Sequence, residues 1–100
     1  MLFRSSRRIE MIEGSSIESR TFEKVLNFSK KYKKILVCLD SNHTHAHVLE
    51  ELKLYGALVS PESYCVVFDT IIEHLPEGIG PNRPWGKGNN PETAINEYMD

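Results

Sequence analysis

Two unbroken apolar runs on either side of an amphipathic stretch constrain this chain more than any other feature. Ile35-Leu36-Val37-Cys38-Leu39 is rich in β-formers and stops at Asp40-Ser41-Asn42-His43-Thr44, a cluster of polar, turn-forming and cap-forming residues. Helical spacing follows: Val48, Leu49, Leu52 and Tyr55 share one face, while His47, Glu50, Glu51 and Lys53 fall largely on the other. Gly56 marks the end of that helix. Tyr64-Cys65-Val66-Val67-Phe68 is the second run, ending at Asp69-Thr70. Strands without polar alternation are covered on both faces, and a helix between two of them predicts a parallel pair with a right-handed crossover. In open α/β sheets, ligands bind beyond the carboxyl ends of the strands. Asp40 and Asp69 both stand there.

The flanks extend the same pattern. Ile9-Glu10-Met11-Ile12-Glu13 reads as a short strand ending at Gly14-Ser15-Ser16, with Ser16 or Ser19 placed to cap a helix from about Glu18 to Tyr32. Leu75 through Pro91 is a long Pro/Gly/Asn loop of the kind that more often carries function than not. Asn90 and Pro91 then open a last helix, as cap and first position. The expected fold class is α/β: part of a Rossmann-like parallel sheet, about three strands and three helices. A formal charge of −2 offers no global attraction to nucleic acid or anionic membrane. No apolar run reaches membrane-spanning length. Cys38 and Cys65, both in apolar runs, read as small core residues in a reducing compartment, so a cytoplasmic protein is expected.

Three stretches could carry chemistry. Two carboxylates at one sheet edge, Asp40 and Asp69, suit a hard divalent cation such as Mg²⁺, although aspartates there also cap turns. Asp40 through His47 holds three histidines, which invites a metal-hydrolase reading. On a helix, however, His45 points about 160° away from His43, given roughly 100° per residue. His45 and His47 therefore read as solvated or capping, whereas His43, in the turn after Asp40, is placed to serve as a general base. Arg83-Pro84-Trp85-Gly86-Lys87-Gly88-Asn89-Asn90 lacks the spacing of a phosphate-binding loop. It reads either as a substrate-facing loop with Trp85 as an aromatic wall or as a surface loop anchored by Trp85.

Ile9 to Ser16, Val37 to Thr44 with His47-Val48-Leu49, Ser63 to Thr70 and Arg83 to Pro91 together resemble the cephalosporin hydroxylase / rhamnosyl O-methyltransferase family, in consistent order over nearly the whole chain. The resemblance implies a class I S-adenosylmethionine-dependent methyltransferase fold, with a metal site similar to that of catechol O-methyltransferase. It implies cofactor contacts at Glu13, Gly14, Ser15 and Ser16, Mg²⁺ ligands at Asp40 and Asp69, and His43 as base. The reaction it implies is Mg²⁺-assisted methylation of a hydroxyl on a sugar or secondary metabolite, a small-molecule substrate. Phe68 stands where such proteins usually carry an acidic residue, which removes one expected oxygen ligand and weakens the Mg²⁺ site. The Gly-rich cofactor turn and the acidic ribose contact are also absent from these residues. Residues 1–100 are therefore expected to form a partial, interior segment of the domain, with open sheet edges that favour pairing of copies. The alternatives are a non-catalytic remnant or interaction module of the same fold and, lowest, a histidine-cluster hydrolase.

Overall fold

A computed structural model describes residues 8–76 and 83–100, so part of the Leu75–Pro91 loop lies outside the described residues. The chain runs α1 (Ser19–Ser29), β1 (Val37–Leu39), α2 (His45–Tyr55), a 3-10 turn (Gly56–Leu58), β2 (Cys65–Val67), a second 3-10 turn (Thr70–His74) and α3 (Pro91–Met99). β1 and β2 pair in parallel, with Val37 opposite Cys65, Cys38 opposite Val66 and Leu39 opposite Val67. The expected β-α-β unit is present, and the mixed α/β class with three helices agrees with a partial Rossmann-like fold.

The core lies on one face of this sheet. Leu39, Val48, Leu52, Tyr55 and Ala94 are buried together, and Phe22, Val25, Val37, Leu49, Cys65, Val67 and Ile95 pack around them. Phe22 of α1 meets Tyr55 edge-on, with ring centroids 5.3 Å apart. α3 begins as its sequence dictates: the Asn90 side chain accepts from the Thr93 amide, the Thr93 hydroxyl accepts from the Asn90 amide, and Pro91 occupies the first turn.

Three expectations change. The sheet has two strands among the described residues, because Ile9–Glu13 forms none. Gly14 turns the chain at φ +136°, and the Glu18 amide bonds the Ser15 carbonyl, so the backbone swings into α1 without joining the β1 edge. A side chain at Gly14 would also meet the Thr21 hydroxyl at 2.4 Å, so the position needs glycine twice over. Second, the sheet is not covered on both faces. Leu36, Cys38, Tyr64, Val66 and Phe68 alternate with the core residues and are all exposed. Cys38 therefore faces solvent while Cys65 faces the core, and adjacent strands hold the two thiols apart. Third, neither serine caps α1; its N-cap is Glu18, which makes no side-chain cap. Among the described residues no helix is long and apolar enough to cross a membrane.

Candidate metal centre and adjoining cleft

Parallel pairing in register brings the ends of β1 and β2 side by side, and with them Asp40 and Asp69. The turn after Asp40 folds His43 into the same place. One ligand atom from each of Asp40, His43 and Asp69 lies within 4.8 Å of the other two. That is roughly twice a metal–ligand bond of 2.0–2.6 Å, the spacing a single ion can bridge. His43 Nε2 is 2.5 Å from Asp69 Oδ2 and 4.0 Å from Asp40 Oδ1. Both carboxylates are about half exposed and the imidazole is a quarter exposed, so solvent and solutes reach the group from outside.

Asp69 holds its place at a backbone cost. Its φ of 65° and ψ of 32° are left-handed, a region aspartate tolerates better than most residues. It precedes the 3-10 turn Thr70–His74 but its side chain caps nothing there. The carboxylate is left to face His43. This observation favours the ligand reading of Asp69 over the capping one.

Residues 83–90 reach the centre through Trp85. Trp85 packs its ring against His43 at 4.7 Å and 60°, and the Arg83 guanidinium lies 5.6 Å from the Trp85 ring. Gly86 and Asn89 form a small antiparallel bridge around Gly88 at φ +79°. Asn89 Oδ1 accepts from the His45 amide, supplying from a distance the N-terminal cap that Thr44 does not make for α2. Glu73 accepts from the Gly88 amide and from Asn90 Nδ2, and Asn90 is fully buried. The amide a phosphate would need is thus already taken by a carboxylate.

These bonds make the loop acid-sensitive. The Gly88 amide foremost, then the Asn90 side chain, hold the Glu73 carboxyl below the ordinary glutamate range. A depressed folded-state value stabilises the loop above the unfolded glutamate range, and that contribution is lost as pH falls through the depressed value. Trp85, the single tryptophan, reports it. Its emission is expected to shift in acid below the ordinary glutamate range, and to lose that transition in Glu73→Gln. An identical acid transition in Glu73→Gln would contradict the assignment.

A second polar group sits on the other side of Asp40. Ser16 and Ser41 both donate to Glu51 Oε2, at 2.6 and 2.7 Å, and His47 Nε2 lies 3.0 Å from the Ser16 hydroxyl. Tyr55 donates its phenol proton to the Ser16 carbonyl at 2.6 Å. Glu51 is only 2% exposed, and its Oε1 is buried without a hydrogen-bond partner. Although the residue types are those of a hydrolytic triad, the geometry is not. The serine protons point to the carboxylate, and the same imidazole nitrogen faces both serine and glutamate. The group instead pins the Gly14–Ser16 turn and the Ser41 turn to α2.

Gly14, Ser16, Asp40, Ser41 and Glu51 line a cleft of about 650 Å³ together with apolar residues that include Val25, Phe28 and Leu36. That volume suits a small organic ligand. Of the four positions expected to touch a cofactor, Gly14 and Ser16 line this cleft. Glu13 lines a second groove with Lys24, Asn27 and Lys31, and Ser15 is exposed in the turn.

The three histidines of the Asp40–His47 stretch go to three different places. His43 joins the aspartates; His45 bridges to α3 through Thr93 and Glu97; His47 joins the serine group. Neither His45 nor His47 is simply solvated or capping, and no hydrolase centre of three histidines forms. Glu51 is likewise not on an outer face. It lies one turn before Tyr55 and beside Val48 and Leu52, at the edge of the buried stripe, where the two serine hydroxyls replace water. An i, i+4 histidine–glutamate pair continuing to a tyrosine was the only sequence signal for it.

Residues 3–100 match the Rhamnosyl O-methyltransferase/CmcI family. Rhamnosyl O-methyltransferases of Mycobacterium tuberculosis and Mycobacterium bovis are each 36% identical over 92 residues, covering 89% of this chain and 34% of the relative. The chain thus spans about a third of the length of these curated relatives. No solved structure matches it. The match over residues 3–100 places the chain in the Rhamnosyl O-methyltransferase/CmcI family.

Proposed function

We propose that this chain carries the cation centre and the adjoining cofactor cleft of an S-adenosylmethionine-dependent O-methyltransferase acting on a sugar hydroxyl, with rhamnosyl compounds as the first acceptors to test. The observation that carries the reading is the convergence of Asp40, His43 and Asp69 at the strand ends, with Asp40 also on the wall of the cleft. The donor set fits a divalent cation: two carboxylates and an imidazole face one point, and none is needed as a helix cap. The cleft fits a cofactor in volume and in its mixed lining, which joins Gly14 and Ser16 to apolar residues. The relatives' name supplies the acceptor class.

When bound, S-adenosylmethionine supplies an electrophilic methyl group and the cation makes an acceptor hydroxyl more acidic. Everything else is work for this chain. Asp40 and Asp69 hold the cation. Gly14 and Ser16 meet the cofactor, and the Glu51 network keeps their turn rigid. Trp85, half-buried beside His43, offers an aromatic face for the apolar side of a sugar ring and excludes water from one side of the centre. Copies are expected to associate through the open sheet, in the cytoplasm.

The test is methyl transfer itself. The chain is incubated with labelled S-adenosylmethionine, a divalent cation and a rhamnoside, and the products are weighed by mass spectrometry. A methylated sugar, absent without cation, is the expected result. A folded chain that binds both substrates yet transfers nothing contradicts it.

A further inference from the structure

We infer that His43 is the third ligand of this centre through Nε2 rather than its base, and that the centre selects a first-row transition cation such as Mn²⁺ over Mg²⁺. The inference rests on the cation reading given above and asks what kind of ion these residues prefer.

The first observation is the direction of the ring. A ligand must turn a ring nitrogen toward the other ligands; a base held by a carboxylate is oriented in the same way, so the donors that line the centre decide between the two. Nε2 of His43 is the nitrogen that faces both carboxylates: it shares a hydrogen bond with Asp69 Oδ2 at 2.5 Å, which an incoming cation would replace, and lies 4.0 Å from Asp40. The Trp85 ring against the imidazole holds it in that orientation. An imidazole ligated through Nε2 keeps its proton on Nδ1 and accepts no other, so the two roles exclude each other and the acceptor's proton leaves to the solvent that reaches the half-exposed carboxylates.

The second observation is what position 68 does not offer. Phe68 follows Val67 on the alternating strand pattern, so its side chain belongs to the exposed face with Val66. It could supply no ligand even if it were drawn inward. The centre therefore has two oxygen-bearing side chains and one nitrogen donor. Mg²⁺ favours oxygen ligands and binds imidazole poorly, whereas imidazole suits transition ions and mixed carboxylate–imidazole sets accept Mn²⁺ and Fe²⁺. Replacing a hard oxygen by nitrogen moves selectivity in one direction.

The test uses the full chain and Mn²⁺ as probe, with Mg²⁺ as competitor. Pulsed electron paramagnetic resonance of the Mn²⁺ complex is expected to show coupling to one imidazole ¹⁴N, lost in His43→Ala. Mn²⁺ affinity is expected to fall about tenfold or more in that variant. In His43→Asp, Mg²⁺ is expected to compete better than in the unmodified chain. Mn²⁺ bound without nitrogen coupling, and equally tightly in His43→Ala, overturns the ligand role while leaving a cation on the two aspartates. A chain that is folded by circular dichroism and binds neither ion overturns this inference and the cation reading together. The spectrum of the unmodified chain needs no variant to fold.

Discussion

Glu51→Ala is expected to lower the stability of the fold by about 2–4 kcal/mol, the range for removing the charged acceptor of buried hydrogen bonds. The reason lies in what it leaves behind. Ser16 and Ser41 both direct their protons to Glu51 Oε2, and His47 faces the same group from the preceding turn of α2. Alanine removes the charged acceptor the two hydroxyls share, leaving them the His47 ring and solvent, and opens a cavity beside Val48 and Leu52. The unpartnered Oε1 already weighs against the native carboxylate, so the loss stays below that of a fully satisfied buried ion. Glu51→Gln keeps one acceptor for the serines and is expected to cost less, about 1–2 kcal/mol. Urea denaturation decides it, with Glu50→Ala on the exposed side of α2 as control. Equal midpoints for Glu51→Ala and Glu50→Ala would mean that the serine network contributes nothing.

Asp69 is expected to separate binding from folding. Asp69→Asn keeps the shape, tolerates the left-handed backbone and still accepts a bond from His43, but it removes a negative charge from the centre. Its stability is expected to match the unmodified chain, while divalent-cation affinity falls roughly ten- to a hundredfold. Asp69→Ala loses the same affinity and, in addition, about 1 kcal/mol of stability, because alanine in that backbone conformation is strained. Parallel calorimetric titration and thermal melts measure both effects. Undiminished cation binding in Asp69→Asn would remove Asp69 from the ligand set.

How much of this is legible without coordinates depends on the range of the interaction. The β-α-β unit is legible because period and run length report local geometry, and the opening of α3 is legible because Asn90, Pro91 and Thr93 act within one turn. The pairing of Asp40 with Asp69 follows from parallel topology alone. Ile9–Glu13 is misread because strand composition says nothing about whether a partner edge is within reach. The exposed face of Cys38 and Val66 is misread for a related reason: an unbroken apolar run signals two faces to cover, but the residues that cover them are not encoded in the run. Glu51 is the clearest case. Its burial depends on Ser16 and Ser41, which lie 35 and 10 positions away in the chain. Asn89 capping α2 across 44 positions is another.

The measurement closest to the central claim is calorimetric titration of the chain with S-adenosylmethionine, with and without divalent cation, once circular dichroism has shown that it is folded. Binding that tightens with cation, and loses that tightening in Asp40→Ala, is the predicted result, because Asp40 belongs to both the cleft wall and the cation centre. A folded chain that takes up no S-adenosylmethionine under either condition would contradict the claim that these residues form a cofactor cleft joined to a metal centre.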